Sequence, residues 1–163
     1  QPVFGGVYKL AAVEDKDGVY PILCRAARHA EDISKSKIAV IATGRTVASH
    51  AFKRAITRRE VVEIEAQPLV GIIDGGECDG CYSPSTEKIL YDLLSRTEGA
   101  DTLILGCTHF SSIKGLAAKI GAEFGIKRVV DAAEVGAELM PSATGEGGID
   151  YVFKTQNKSS LRI

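Results

Sequence analysis

The chain has 163 residues, 45% of them apolar, with 20 basic and 21 acidic side chains, four cysteines and a formal net charge of −1. That is enough apolar material for one domain core, and too few cysteines for a disulfide scaffold, so metal or disulfide staples are not needed. Balanced charge gives no strong field toward phosphate backbones or anionic lipid, and no apolar run approaches the roughly 20 residues that span a bilayer, so nucleic acid and membrane are excluded as partners and the cytoplasm is the expected location.

In chain order, Gln1-Pro2-Val3-Phe4 is neither a signal h-region nor a basic amphipathic segment, and Pro2-Val3-Phe4-Gly5 reads as a strand already under way. The chain is therefore expected to be a piece of a longer protein. After a polar turn at Glu14-Asp15-Lys16-Asp17-Gly18, the pattern from Tyr20 to Ile33 predicts a helix. Lys37 to Ala42 is a continuous apolar run, the mark of a strand buried on both faces of a parallel sheet, and Val47, Ala51, Phe52 and Ala55 follow it at helical spacing. Val61-Val62-Glu63-Ile64 predicts a further strand. Ser83-Pro84 supplies a cap and a first-turn proline for a helix with Ile89, Leu90, Leu93 and Leu94 on one side. Thr102 to Gly106 is a second continuous apolar run, and Ile113, Leu116, Ala117, Ile120 and Phe124 predict a helix after it, starting near Ser111 or Ser112. Val129-Val130 and Tyr151-Val152-Phe153 read as short strands, with a loop at Ser142 to Gly148 before the latter. Strand then helix, repeated, implies βαβ units. The expected fold class is α/β: an open, mostly parallel sheet with helices on both faces.

Cys107 stands where the second buried run ends, and ligands of open α/β sheets bind outside the carboxyl ends of the strands. The start of the following helix would favour a thiolate or a bound carboxylate there. If extended geometry persists for two residues, His109 points to the same side as Cys107, and a thiol, the Thr108 hydroxyl and an imidazole converge. The competing reading is a buried cysteine acting as a small hydrophobe beside a histidine that merely caps the next helix. Thr43-Gly44-Arg45-Thr46 offers N–H groups and hydroxyls to an anion such as a carboxylate, or is an ordinary helix start; it has neither GxGxxG nor GK[ST]. Asp74, before Gly75-Gly76, is a turn residue by local pattern, with acid/base work as the alternative. Cys78 and Cys81 have CxxC spacing but no second ligand pair, and Cys24, His29 and His50 lie far off, so this stretch reads as a loop and no metal is expected.

Leu105-Gly106-Cys107-Thr108-His109-Phe110 resembles the LGCTH[FY] motif that holds the second catalytic cysteine of glutamate racemases. Ile38 to Thr43, with Thr46, Ser49, Ala51 and Phe52, is similar to that family's strand followed by GTxxTxxSxAY. Glu65 to Val70, running on to Asp74, resembles ACPLFVPLVE, and Val130-Asp131-Ala132-Ala133-Glu134 resembles the later VDSA segment. The ordered matches run from Ile38 to Glu134.

The resemblance implies an Asp/Glu racemase-like domain from a pseudo-symmetric two-domain enzyme that holds glutamate between two cysteines, one per domain, without any cofactor. One thiolate takes the α-proton and the other thiol returns a proton to the opposite face, yielding D-glutamate for peptidoglycan and cell-wall biogenesis. By the same resemblance Cys107 is the base or acid on one face, His109 and Asp74 are its catalytic companions, and Thr108, His109, Thr43 and Thr46 bind substrate. Asp74 stands where the family has glutamate. The family's DSG segment and its CNTA motif with the other cysteine do not occur in this chain, and Cys24, without Asn-Thr after it, is no substitute. GVIEPG is replaced by Gly5-Gly6-Val7-Tyr8, and FTTG is only loosely echoed by Phe153-Lys154-Thr155-Gln156. The implied organisation is a Cys107-bearing second racemase domain over 1–128, with 129–163 returning to a first domain. Expected partners are glutamate and a missing N-terminal racemase half, with a homo-oligomer left open. The alternatives are an aspartate racemase-like enzyme and a catalytically inactive module that binds an amino acid or a protein.

Overall fold

β1 (Lys37–Ala42) and β3 (Ala100–Leu105) are the two continuous apolar runs, and they lie side by side at the centre of one sheet. The structure is a computed structural model that describes residues 22–76 and 81–138. Around the central pair the elements are α1 (Ile22–Ile33), α2 (Gly44–Ser49), α3 (Ala51–Ala55), β2 (Val61–Glu65), α4 (Gln67–Asp74), α5 (Pro84–Leu94), a 3-10 turn (Thr108–Ile113), α6 (Lys114–Glu123), β4 (Arg128–Asp131) and α7 (Ala132–Glu138). The strand order is β2-β1-β3-β4 and every pairing is parallel.

Successive strand side chains go to opposite faces, and here both faces are apolar. Ala39, Ile41, Leu103 and Leu105 pack with Leu90, Leu94, Phe110, Ile113 and Leu116 in one layer. Ile38, Val40, Ala42 and Ile104 pack with Ala26, Ala27, Ala30 and Phe52 in the other. Helices therefore cover both faces, as expected from runs without polar alternation. Ser83 caps α5 by accepting from the Thr86 N–H at 3.3 Å, also as expected.

Two helix expectations change. The single helix read through Val47 and Ala55 is broken at His50, whose φ of 50° ends α2 and starts α3. The helix after Cys107 begins at Lys114 rather than near Ser111, because a 3-10 turn comes first. The boundary expected near Val129 falls within β4, and the strands read at Pro2 to Gly5 and Tyr151 to Phe153 and the loop read at Ser142 to Gly148 lie outside the described residues. Among the described residues, no helix is long and apolar enough to cross a membrane.

Candidate active site

Parallel strands put all four carboxyl ends along one edge, where open α/β sheets bind their ligands. Gln67 follows β2, Thr43 follows β1, Gly106-Cys107 follows β3, and Asp131 closes β4. Gly106 decides how β3 leaves the sheet. Its N–H donates to the Ile41 carbonyl at 2.8 Å, and a Cβ at this position would lie 2.9 Å from the Phe52 ring and 3.1 Å from both Ala42 Cβ and the Ile41 oxygen. Only a residue without a side chain allows that approach. Cys107 thus emerges beside the end of β1, where Thr43 begins its turn.

Cys107 is extended, half-buried against the core, and its carbonyl accepts from the Phe110 N–H at 3.0 Å to open the 3-10 turn. Phe110 and Ile113 are fully buried, which stabilises the turn from beneath by about 1.5–3 kcal/mol each, while Thr108 and His109 stay exposed. The expected two residues of extended chain do not occur, since only Cys107 is extended; the turn instead brings His109 round to the thiol. Its Nδ1 lies 3.6 Å from Cys107 Sγ, and its Nε2 lies 3.1 Å from Asp74 Oδ1. Asp74 is the last residue of α4, with Gly75 as the cap, which corrects the turn read from Gly75-Gly76.

The side chains of His109 and Asp74 are 42% and 61% exposed, so their pairing adds little stability. What it does is orient. A carboxylate at Nε2 holds that nitrogen as the donor, which leaves Nδ1 able to accept from a thiol, or to carry a proton facing a thiolate when the ring is charged. On the neighbouring strand end, the Thr43 and Thr46 hydroxyls lie 3.1 Å apart, and the Ser49 hydroxyl donates to the Thr46 carbonyl at 2.7 Å. The structure therefore brings Cys107, His109 and Asp74 into one chain of contacts and sets Thr43 and Thr46 at the adjoining strand end.

Gln67 is not among the site residues expected from the sequence, yet its Oε1 accepts from the Gly44 N–H at 3.3 Å, at the turn that carries Thr43 and Thr46. Its place after β2 matches that of Thr43 after β1, which is the feature by which the strand-end rule identifies it. Of the other described cysteines, neither Cys24 nor Cys81 joins the group. Cys24 is buried in α1, where burial pushes its thiol up against the opposing pull of Arg28; Cys81 is exposed, and Cys78 lies outside the described residues.

Residues 19–140 match the family described as Asp/Glu/Hydantoin racemase. The chain belongs to this family. Within it, the chain is 38% identical over 119 residues to a glutamate racemase of Neisseria meningitidis serogroup A, covering 70% of this chain and 42% of that protein. It is 36% identical over 87 residues to the glutamate racemase of Pseudomonas aeruginosa, covering 52% and 33%. The crystal structure of glutamate racemase isoform RacE1 from Bacillus anthracis superposes with a TM-score of 0.63 at 26% identity, over 72% of this chain and 46% of that one. The glutamate racemase from Aquifex pyrophilus gives 0.51 at 28%, over 70% and 44%. The chain thus spans less than half the length of these relatives.

Proposed function

We propose that this racemase-family chain supplies one face of a cofactor-independent glutamate racemase site, with Cys107 as the sulfur that exchanges a proton with the substrate α-carbon. The observation that carries this reading is the Cys107–His109–Asp74 chain of contacts at the carboxyl edge, next to the paired hydroxyls of Thr43 and Thr46. The thiolate removes the α-proton and becomes a thiol, the electron pair left on carbon is delocalised into the adjoining carboxylate, and a proton returned to the opposite face inverts the centre. His109, oriented by Asp74, takes up or returns the thiol proton. Thr43, Thr46 and Thr108 hold the substrate carboxylates. The second thiol, on the opposite face, comes from a racemase half that carries the CNTA motif, which this chain does not contain. Glutamate rather than aspartate is favoured because the named relatives are glutamate racemases. D-glutamate for peptidoglycan is the product use this implies, and the cytoplasm is the compartment that suits a free thiol.

The test follows the α-proton. In deuterium oxide the chain should exchange the α-hydrogen of one glutamate enantiomer slowly and with retention, since Cys107 removes and returns a proton on the same face. Racemisation should be negligible, and Cys107→Ser should abolish the exchange because a hydroxyl is a far weaker base than a thiolate. Normal racemisation by this chain alone, or exchange that survives Cys107→Ser, would refute the reading. Aspartate exchanged faster than glutamate would transfer the assignment to an aspartate racemase-like enzyme, whereas saturable glutamate binding with no exchange would identify a binding module.

A further inference from the structure

Two buried side-chain oxygens among the described residues have no hydrogen-bond partner, Ser111 Oγ and Asp131 Oδ2. Asp131 is 2% exposed, and its other oxygen, Oδ1, accepts from the Ala133 N–H at 2.8 Å at the start of α7. A carboxylate oxygen shut away from water without a donor is unfavourable, and a site with such an atom ordinarily holds a buried water. Three features put the two orphans on one side of one boundary. Asp131 is in register with Leu105, and Leu105 packs in the layer of Phe110 and Ile113, so the Asp131 side chain leaves the sheet on the face that the 3-10 turn covers. The 3-10 turn that carries Ser111 packs against β4 and against α7, and Lys114 follows that turn directly as the first residue of α6. Lys114 in turn pairs with Glu134, in the first turn of the helix that Asp131 starts. The turn that carries Ser111 is therefore held against the end of β4 and the start of α7, where Asp131 stands.

We propose that Ser111 Oγ and Asp131 Oδ2 are joined through one buried water, which accepts the serine O–H and donates to the carboxylate, and that Asp131 is thereby a positioning residue for the turn that carries Thr108 and His109. Asp131 touches neither the thiol nor the substrate in this scheme. It fixes the turn that sets the spacing of His109 Nδ1 from Cys107 Sγ. The link rests on the reading of Cys107 and His109 as a proton-transfer pair, but its test does not need racemisation.

The measurement is the rate of alkylation of Cys107 by iodoacetamide across pH, resolved from the other cysteines by peptide mass spectrometry, on the intact chain. Ser111→Ala and Asp131→Ala should each shift the pH profile of Cys107 and change its rate several-fold, and the double variant should do no more than either single one. Asp131→Asn, which still bonds a water, should keep the original profile. Unchanged profiles in both alanine variants would overturn the proposal, as would effects that multiply in the double variant, because unlinked sites act independently. Should Asp131→Ala fold poorly, Ser111→Ala against the hydroxyl-keeping Ser111→Thr makes the same decision. A profile that responds as stated in a chain whose Cys107 glutamate fails to protect would sink the substrate assignment and leave the water link standing.

Discussion

Asp101 stands near the start of the strand that delivers Cys107, at the opposite edge of the sheet. Its carboxylate accepts from the Ser34 hydroxyl at 2.7 Å, the Lys35 N–H at 2.9 Å, the Thr102 hydroxyl at 3.0 Å and the Arg128 guanidinium at 3.3 Å, tying the α1–β1 loop to β3 and β4. Burial works to raise its pKa, but the hydrogen bonds from Ser34, Lys35, Thr102 and Ser36 outweigh burial and bring it from 3.8 down to about 2. Charged-form hydrogen bonding is strong enough for such a reversal. Because the folded pKa is depressed, the stabilisation is fully present above the unfolded value and is lost as pH falls toward about 2. Asp101→Asn should therefore cost about 1–2 kcal/mol at neutral pH, below the full linkage value because the amide oxygen still accepts part of this hydrogen bonding. The deficit should shrink between about pH 4 and about pH 2, where the native carboxylate itself takes up a proton. Urea denaturation of both proteins across that range measures it, and a constant gap at every pH would show that the charge is not what stabilises the site.

At the level of elements, the exit of β3 toward Cys107 depends on one missing methyl group. Gly106→Ala would push a Cβ against the Phe52 ring, Ala42 and the Ile41 carbonyl, two of which are buried side chains and the third backbone, so none can give way cheaply. Overpacking of this kind costs about 1–3 kcal/mol, and here it also displaces the extended residue that opens the 3-10 turn. The variant should unfold at lower denaturant and alkylate at Cys107 at an altered rate; wild-type values of both would show that the strand end has room to spare. The elements legible in the sequence were those whose burial leaves no polar alternation, above all β1 and β3, and the strand-end rule then pointed to Cys107 and Thr43. The break between α2 and α3 was not legible, because Val47, Ala51, Phe52 and Ala55 keep helical spacing across it. Its support is tertiary: Glu63 on β2 meets His50 Nδ1 at 2.8 Å and accepts from the Lys53 N–H at 3.3 Å, without any glycine or asparagine to mark the left-handed residue. The 3-10 turn was hidden for a related reason, since Phe110 and Ile113, three apart, suit either helix type. Asp74 looked like a turn because Gly75-Gly76 follows it, while its contact with His109 comes from a segment far along the chain.

Across the described residues as a whole, the candidate groups lie along one edge of the sheet. Gln67, Thr43 and Cys107 follow the carboxyl ends of three adjacent parallel strands, and His109 and Asp74 back the thiol from the turn and from α4. On the proposed reading, a substrate laid against this edge meets one proton-transfer group, Cys107, and inversion of its carbon centre requires a second on the opposite face. The chain matches less than half of each named racemase, which is the share one such face would occupy. Adding a separately produced racemase half that carries the CNTA cysteine, or fusing it ahead of this chain, should therefore create L-to-D glutamate turnover that neither part shows alone. Removing either sulfur should reduce the assembled pair to one-sided α-hydrogen exchange, each variant acting on the opposite enantiomer. Circular dichroism at a single wavelength follows the racemisation, and proton loss in deuterium oxide follows the exchange. Turnover that persists with Cys107→Ser in the assembled pair would mean that the second proton donor lies elsewhere on this face, and a pair that binds glutamate without inverting it would mean that this edge recognises the amino acid but performs no chemistry on it.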